Sequence, residues 1–206
     1  MTQLVFDFGG VVFRWRPSEL VAKVWPHRAR TPAELNRAVA DLFQSYSGDW
    51  GRFDQGLLDE QGLIDAVCAR TQWPPAEMRA LLAAVPEELV PQPEMVALLE
   101  RLREQGHRLV FLSNMPAPLA EHLEHSYPLQ TWFADGVFSS RERICKPARE
   151  LFELAADRFG RQPGDCLLID DHPVNIDAAR ACGWQAEWFD GVAGLKMKLR
   201  ERELLR

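Results

Sequence analysis

Four short apolar runs, each bounded by turn residues, most strongly limit what this chain can fold into: residues 4–8, 108–112, 136–138 and 166–169. Runs of this length without polar alternation predict strands buried on both faces. Between them the apolar residues recur at helical spacing, as in 93–105 (Met95, Leu98, Leu99, Leu102) and 148–159 (Leu151, Phe152, Leu154, Ala155). Pro147 and Pro173 stand where helices are expected to begin, and Gly106, Gly160 and Gly183 where they are expected to stop. Strands alternating with helices in this way predict an α/β fold. Its parallel sheet would be covered by helices on both faces and end in a short strand over 185–189.

The stretch 14–87 breaks this alternation. It contains no convincing strand, and its helical segments are separated by Pro26, Pro32, Gly48, Gly51, Gly56 and the Trp73, Pro74, Pro75 break. We expect a helical cap over 14–87, inserted into a core made of 1–13 and 88–206. An insert directly after the first strand rises from the carboxyl edge of the sheet, where open α/β folds bind their ligands. The tail LKMKLRERELLR reads as a closing amphipathic helix with one solvated face.

The 206 residues are 47% hydrophobic and 26% charged, which excludes disorder and fibre and leaves enough chain for a sizeable core. Thirty acidic against 24 basic residues give a net charge of -6. That balance argues against nucleic acid as a partner, because backbone binding needs a basic surface, but a small anionic ligand is held by local groups. Cys68, Cys145, Cys166 and Cys182 form no CxxC pair, so neither a zinc site nor a disulfide framework is expected. With no basic leader and no apolar run near the roughly 20 residues of a spanning helix, the expectation is a cytoplasmic protein without a membrane partner.

Three of the expected strands end in polar groups that would converge at one sheet edge: Asp7, the pair Ser113 and Asn114, and the pair Asp170 and Asp171. Lys146 follows the 136–138 strand by a short loop. Three carboxylates in one place raise one another's pKa unless a cation neutralises them, and hard oxygen ligands suit Mg2+. A carboxylate in such a site can attack phosphorus, while an ammonium and hydroxyl or amide donors stabilise the charge of the transferring group. The acid pair, followed by His172 and Pro173, also suits the first turn of a helix. No GxGxxG or GxxxxGK pattern follows Gly9 and Gly10, so nucleotide binding of those kinds is not expected.

This ordered set resembles the haloacid dehalogenase-like hydrolase superfamily, most of whose members are magnesium-dependent phosphatases. The first motif is similar to Phe6-Asp7-Phe8-Gly9-Gly10-Val11-Val12, the second to Phe111-Leu112-Ser113-Asn114 and the third to Lys146-Pro147. The fourth is similar to Leu168-Ile169-Asp170-Asp171 followed by Asn175-Ile176-Asp177-Ala178-Ala179. The resemblance implies a Rossmann-like core with an inserted helical cap. It implies Asp7 as nucleophile and metal ligand, the Gly9 carbonyl as a second ligand, and Asp170 and Asp171 completing the shell around Mg2+. Ser113 and the amide of Asn114 would hold phosphate oxygens, Lys146 would hold Asp7 and the phosphate charge, and Asn175 would support the fourth motif. The implied partner is a small phosphorylated metabolite, for which a sugar phosphate is the first candidate, and monomer and homodimer both stay open.

One departure stands out. The family's first motif usually carries a second aspartate two residues after the nucleophile, as general acid and then base, and here that position is Gly9. Such help is worth about a hundred- to ten-thousand-fold, so a replacement acid or an easily departing alcohol is expected. His27 and Asp54 of the insert are the candidate replacements. A subgroup resembling bacterial glucose-1-phosphate phosphatases has a similar Asp-x-Gly-x-Val start and a cap similar to Trp50-Gly51-Arg52-Phe53-Asp54-Gln55-Gly56. The alternatives are a non-catalytic phosphate- or metal-binding scaffold and a 2-haloacid dehalogenase. The second fits poorly, because two adjacent acids give a halide-releasing site nothing.

Overall fold

The computed structural model describes residues 2–206. Five strands, β1 (Gln3–Phe6), β2 (Leu109–Ser113), β3 (Asp135–Phe138), β4 (Cys166–Asp170) and β5 (Gln185–Trp188), form one sheet in the order β3-β2-β1-β4-β5. Every pairing is parallel, so all five carboxyl ends lie at the same edge. The order reverses between β1 and β4, whose registers pair Phe6 with Ile169, and the residues that follow this pair face the crevice where such sheets bind ligands.

The period of two divides the strands cleanly. Leu4, Phe6, Leu109, Phe111, Leu167 and Ile169 belong to one apolar cluster, and Val5, Val110, Leu112, Cys166 and Leu168 to the other. Helices α6 (Pro93–Glu104), α7 (Ala117–Ser126) and α12 (Val192–Glu201) bury residues in the first cluster; α10 (Arg149–Phe159) and α11 (Pro173–Ala181) bury theirs in the second. Two one-turn helices, α8 (Leu129–Trp132) and α9 (Ser139–Glu142), flank β3. Covered on both faces, the strands carry the near-continuous apolar runs that made them visible in the sequence.

The boundaries differ at two places for physical reasons. β1 stops at Phe6 rather than residue 8 because the chain doubles back: the amides of Val11, Val12 and Phe13 all donate to the Phe8 carbonyl, and Gly10 turns at φ +80°. Phe8 is wholly buried all the same, its ring 4.4 Å from that of Phe111 and 5.1 Å from that of Phe13, so its apolarity serves a loop in the core. Pro147 does not begin a helix; it lies in a turn closed by the Ala148 amide on the Cys145 carbonyl, and α10 starts at Arg149. Pro173 does begin one, and Gly106, Gly160 and Gly183 follow their helices at positive φ as expected.

Between β1 and β2 run five helices, α1 (Pro17–Val24), α2 (Pro32–Phe43), α3 (Asp49–Asp54), α4 (Glu60–Thr71) and α5 (Pro75–Glu88), before the chain enters α6. Pro17, Pro32 and Pro75 occupy first-turn positions, and the Thr31 and Asp59 side chains accept from the amides of Glu34 and Gly62. Trp25, Trp50 and Trp73 are buried among these helices, whose apolar cluster is continuous with that of one sheet face. The two connections run side by side: Arg14 donates its amide to Val90, Gln92 donates to Val12, and Arg14 pairs with Glu88 at 2.9 Å. Arg14 is thus engaged at this junction, while Arg16 pairs with Glu19 at the exposed start of α1. No helix of the described residues is long and apolar enough to cross a membrane.

Candidate active site

Asp7 follows β1 and Asp170 ends β4, so the parallel pairing brings their carboxylates together without any special loop. One oxygen each from Asp7, Asp170 and Asp171 lies within 4.8 Å of the others. Asp170 is fully buried and its oxygens are heavily used: the His172 amide donates at 2.8 Å, Asn175 Nδ2 at 3.0 and 3.1 Å, and Lys146 Nζ at 2.7 Å. Asp171, more exposed, lies against the turn after β1. A Cβ on Gly10 would come within 2.2 Å of its Oδ2 and push this carboxylate aside, and the φ of +80° favours glycine as well.

Lys146 is buried and reaches the cluster from the loop before α10. Its ammonium donates to the Leu112 carbonyl at 2.8 Å and to Asp170, and stands 3.0 Å from Asp7 Oδ2. Two hydrogen bonds and one ion pair thus anchor the ammonium between the two acids and the end of β2. Its backbone is fixed in turn by Asn114, whose Oδ1 accepts from the Lys146 amide at 2.8 Å while Nδ2 donates to the Lys146 carbonyl at 2.8 Å. Ser113 is completely buried and does not line the cavity; among the described residues its hydroxyl has no hydrogen-bond partner.

The electrostatics of this arrangement are unbalanced. Burial pushes the Asp7 carboxyl up to about 8, against the opposing pull of Lys146 and with Asp170 and Asp171 adding to the rise. Asp171 is raised too, by burial and then by Asp170. Burial alone would lower Lys146, but Asp170 and Asp7 outweigh it and hold it charged. One ammonium therefore faces three acids, a deficit that a hard divalent cation would fill, and carboxylate oxygens are the donors such an ion takes. The residues present thus fit a magnesium ion.

Above the acids opens a cavity of about 710 Å³, lined from the sheet edge by Asp7, Gly9, Asn114, Lys146 and Asp171, and from the insert by Trp15, Tyr46, Trp50 and Asp54. Trp15 Nε1 donates to the Tyr46 hydroxyl at 3.0 Å, so two aromatic wall residues brace each other. Of the two replacement acids considered from sequence, Asp54 is buried in this wall, whereas His27 is half exposed and lies 3.3 Å from Glu77, outside the cavity lining. His172 lines the cavity, and on α7 His122 is half-buried and His125 exposed, both outside the cavity lining. Sequence reasoning missed Tyr46 and Ser139. Tyr46 follows no pattern, while Ser139, directly after β3, stands where a strand-end polar residue would be sought.

The chain is 25% identical over 96% of its length to the sesquiterpene phosphatase astK of Aspergillus oryzae, covering 94% of that protein. It is 30% identical over 89% of its length to the fructose-1-phosphate phosphatase YqaB of Escherichia coli, covering 93% of it. The fold is that of the HAD family enzyme BT-2542 of Bacteroides thetaiotaomicron, solved with magnesium and inorganic phosphate, at a TM-score of 0.70 and 21% identity over 95% of this chain and 98% of that one. A family model for haloacid dehalogenase-like hydrolases matches residues 1–183, and the chain belongs to that family of hydrolases.

Proposed function

We infer that the protein is a magnesium-dependent phosphatase of a small phosphorylated metabolite, working through an aspartyl-phosphate on Asp7. The observation that carries this reading is the convergence of Asp7, Asp170 and Asp171 within 4.8 Å around a buried Lys146 at the floor of a cavity. Asp7, Asp171 and the Gly9 carbonyl would hold the ion, with Asp170 joining directly or through water. When bound, magnesium offsets the charge of the acids and of the substrate phosphate.

Asp7 then stands free to attack phosphorus, held in line by Lys146 and by the amide of Phe8, which donates to its Oδ1 at 2.6 Å. The Asn114 amide, at the cavity wall, would receive a phosphate oxygen, whereas the Ser113 hydroxyl is fully buried, lacks a partner and does not line the cavity. Lys146 would contribute its charge and the orientation of Asp7, from which it stands 3.0 Å. The helical insert over 14–87 acts as the cap, closing the cavity with Trp15, Tyr46 and Trp50 and limiting bulk water during transfer.

For the alcohol, a sugar phosphate is the first candidate, supported by the fructose-1-phosphate phosphatase among the relatives and by the Ser45, Ser47 and Gln55 side of the cavity. The wall of Trp15, Tyr46, Trp50, Met115 and Leu119 favours a second reading, an apolar alcohol such as the isoprenoid implied by the sesquiterpene phosphatase. Phosphate release from a panel holding both classes, with magnesium or a chelator and with Asp7→Asn as the blank, tests all of this. Magnesium-dependent release that vanishes in the blank supports the phosphatase and ranks the alcohols. Metal binding without release from any member would favour a scaffold, and halide release from 2-haloacids a dehalogenase.

A further inference from the structure

Position 9, where the family places its acid, is Gly9, and the side chain nearest to where a Cβ would stand is Trp15, at 3.5 Å. The alcohol that departs from phosphorus therefore has no proton donor on the β1 loop. Across the cavity, α3 ends in Asp54, which is 4% exposed yet lines the same space as Asp7 and Gly9. Buried aspartates ordinarily sit in ion pairs, but among the described residues no lysine, arginine or histidine lies within salt-bridge distance of this one.

Asp54 is also held in place more firmly than a solvent-gating loop would be. Its backbone carbonyl accepts the Ser139 hydroxyl at 2.6 Å, and Ser139 Oγ accepts the Met115 amide at 2.9 Å. One buried serine thus ties the end of α3 to the loop after β2, which carries Asn114. Just beyond, Gly56 turns at φ +66°, with a Cβ there meeting the Ser140 carbonyl at 2.6 Å, so the insert touches the core closely at this point.

We propose that Asp54 supplies the acid that position 9 lacks, giving its proton to the departing alcohol oxygen and later taking one from the attacking water. This rests on the phosphatase reading above. In the first step a bond forms between Asp7 Oδ and phosphorus, the ester P–O bond breaks with its electrons passing to oxygen, and the Asp54 carboxyl protonates that oxygen. In the second, water attacks the same phosphorus, its proton passes to the Asp54 carboxylate, and the Asp7 oxygen leaves with the bonding pair. The acid returns to its starting state after each turnover.

The surroundings suit the donor form. Burial and then the charge of Asp7 hold the Asp54 carboxyl well above the usual carboxylate range, outweighing the Trp50 indole and the more distant Lys146. Its other titratable neighbours are weaker candidates. Tyr46 is pushed up to about 12 by burial, the Cys145 thiol to about 12 for the same reason, and the Tyr46 hydroxyl is already engaged by Trp15.

The test compares kcat/KM for p-nitrophenyl phosphate, whose alcohol needs no proton, with that for n-butyl phosphate, whose alcohol does. In Asp54→Asn the butyl ester should lose about a hundred- to ten-thousand-fold while the nitrophenyl ester changes little, and p-nitrophenol should appear in a burst as phosphorylated Asp7 accumulates. Gly9→Asp added to Asp54→Asn should restore part of the butyl activity, since its Cβ makes only ordinary contact with Trp15. Asp54→Ser serves as the second variant should the asparagine not fold. Equal losses for both esters, or no loss for either, in a folded variant would overturn the proposal. A wild-type protein that releases phosphate from neither ester would instead overturn the phosphatase reading.

Discussion

Lys146 Nζ lies 2.7 Å from Asp170 Oδ2, and neither side chain is reached by solvent. A pair this deep is held by its geometry and its further partners, the Leu112 carbonyl and Asp7 for the lysine, and Asn175 and the His172 amide for the acid. Removing one member leaves the other charged and buried. Lys146→Met should therefore cost about 3–5 kcal/mol of stability and also abolish phosphate release. Urea denaturation with magnesium absent reads the first effect. A variant as stable as the parent would show that the two acids accept protonation at little cost.

Gly10 and Asp171 make a second testable contact. Gly10 turns at φ +80°, and a Cβ there would fall 2.2 Å from Asp171 Oδ2. Gly10→Ala should lose about 1–2 kcal/mol from the left-handed backbone alone and in addition displace the carboxylate. We expect weaker magnesium binding by calorimetry, with Gly106→Ala, equally left-handed but open to space, as the control for backbone strain. Equal metal affinity in the two variants would mean that Asp171 does not hold the ion.

The sheet and most of the acid cluster were legible because they rest on local signals. β1, β2 and β4 are apolar runs that end in or run into polar residues, and parallel pairing converts these ends into one site, as with Asp7 and Asp170. What escaped depends on contacts between segments far apart in sequence. Phe8 reads as strand but belongs to a turn, since nothing local reveals that three amides will converge on its carbonyl. His27 and Asp54 were equivalent candidates until helix packing put one beside Glu77 and the other in the cavity wall. Ser113, expected to face phosphate, is enclosed, and its unpaired hydroxyl could be found only with its neighbours in place.

Asn175 tests how far orientation matters. Its Nδ2 lies 3.0 and 3.1 Å from the two oxygens of Asp170, fixing the carboxylate plane from the first turn of α11. Outer partners of this kind change metal affinity or activity by about 10- to 100-fold when removed. Asn175→Ala should show a loss in that range for magnesium affinity, measured by calorimetry, with little change in far-ultraviolet circular dichroism. An unchanged affinity would assign the orientation of Asp170 to Lys146 and the His172 amide alone.

The pH dependence of stability follows from Asp7. Its carboxyl titrates near 3.8 in an unfolded chain and at about 8 in the folded one, so between these values the native state binds the proton that the unfolded state has lost. Stability of the magnesium-free protein should therefore be greatest at the acid end of this window and fall as pH rises through it. Asp54, raised by burial in the same direction, adds to the fall. Magnesium competes with those protons, so its stabilising effect should grow from pH 5 to pH 8. Urea midpoints at the two pH values, in chelator and in magnesium, read both trends, and Asp7→Asn should flatten the slope in chelator. A magnesium-free protein more stable at pH 8 than at pH 5 would mean that Asp7 is already ionised in the fold, paired with Lys146 and in no need of a metal to become a nucleophile.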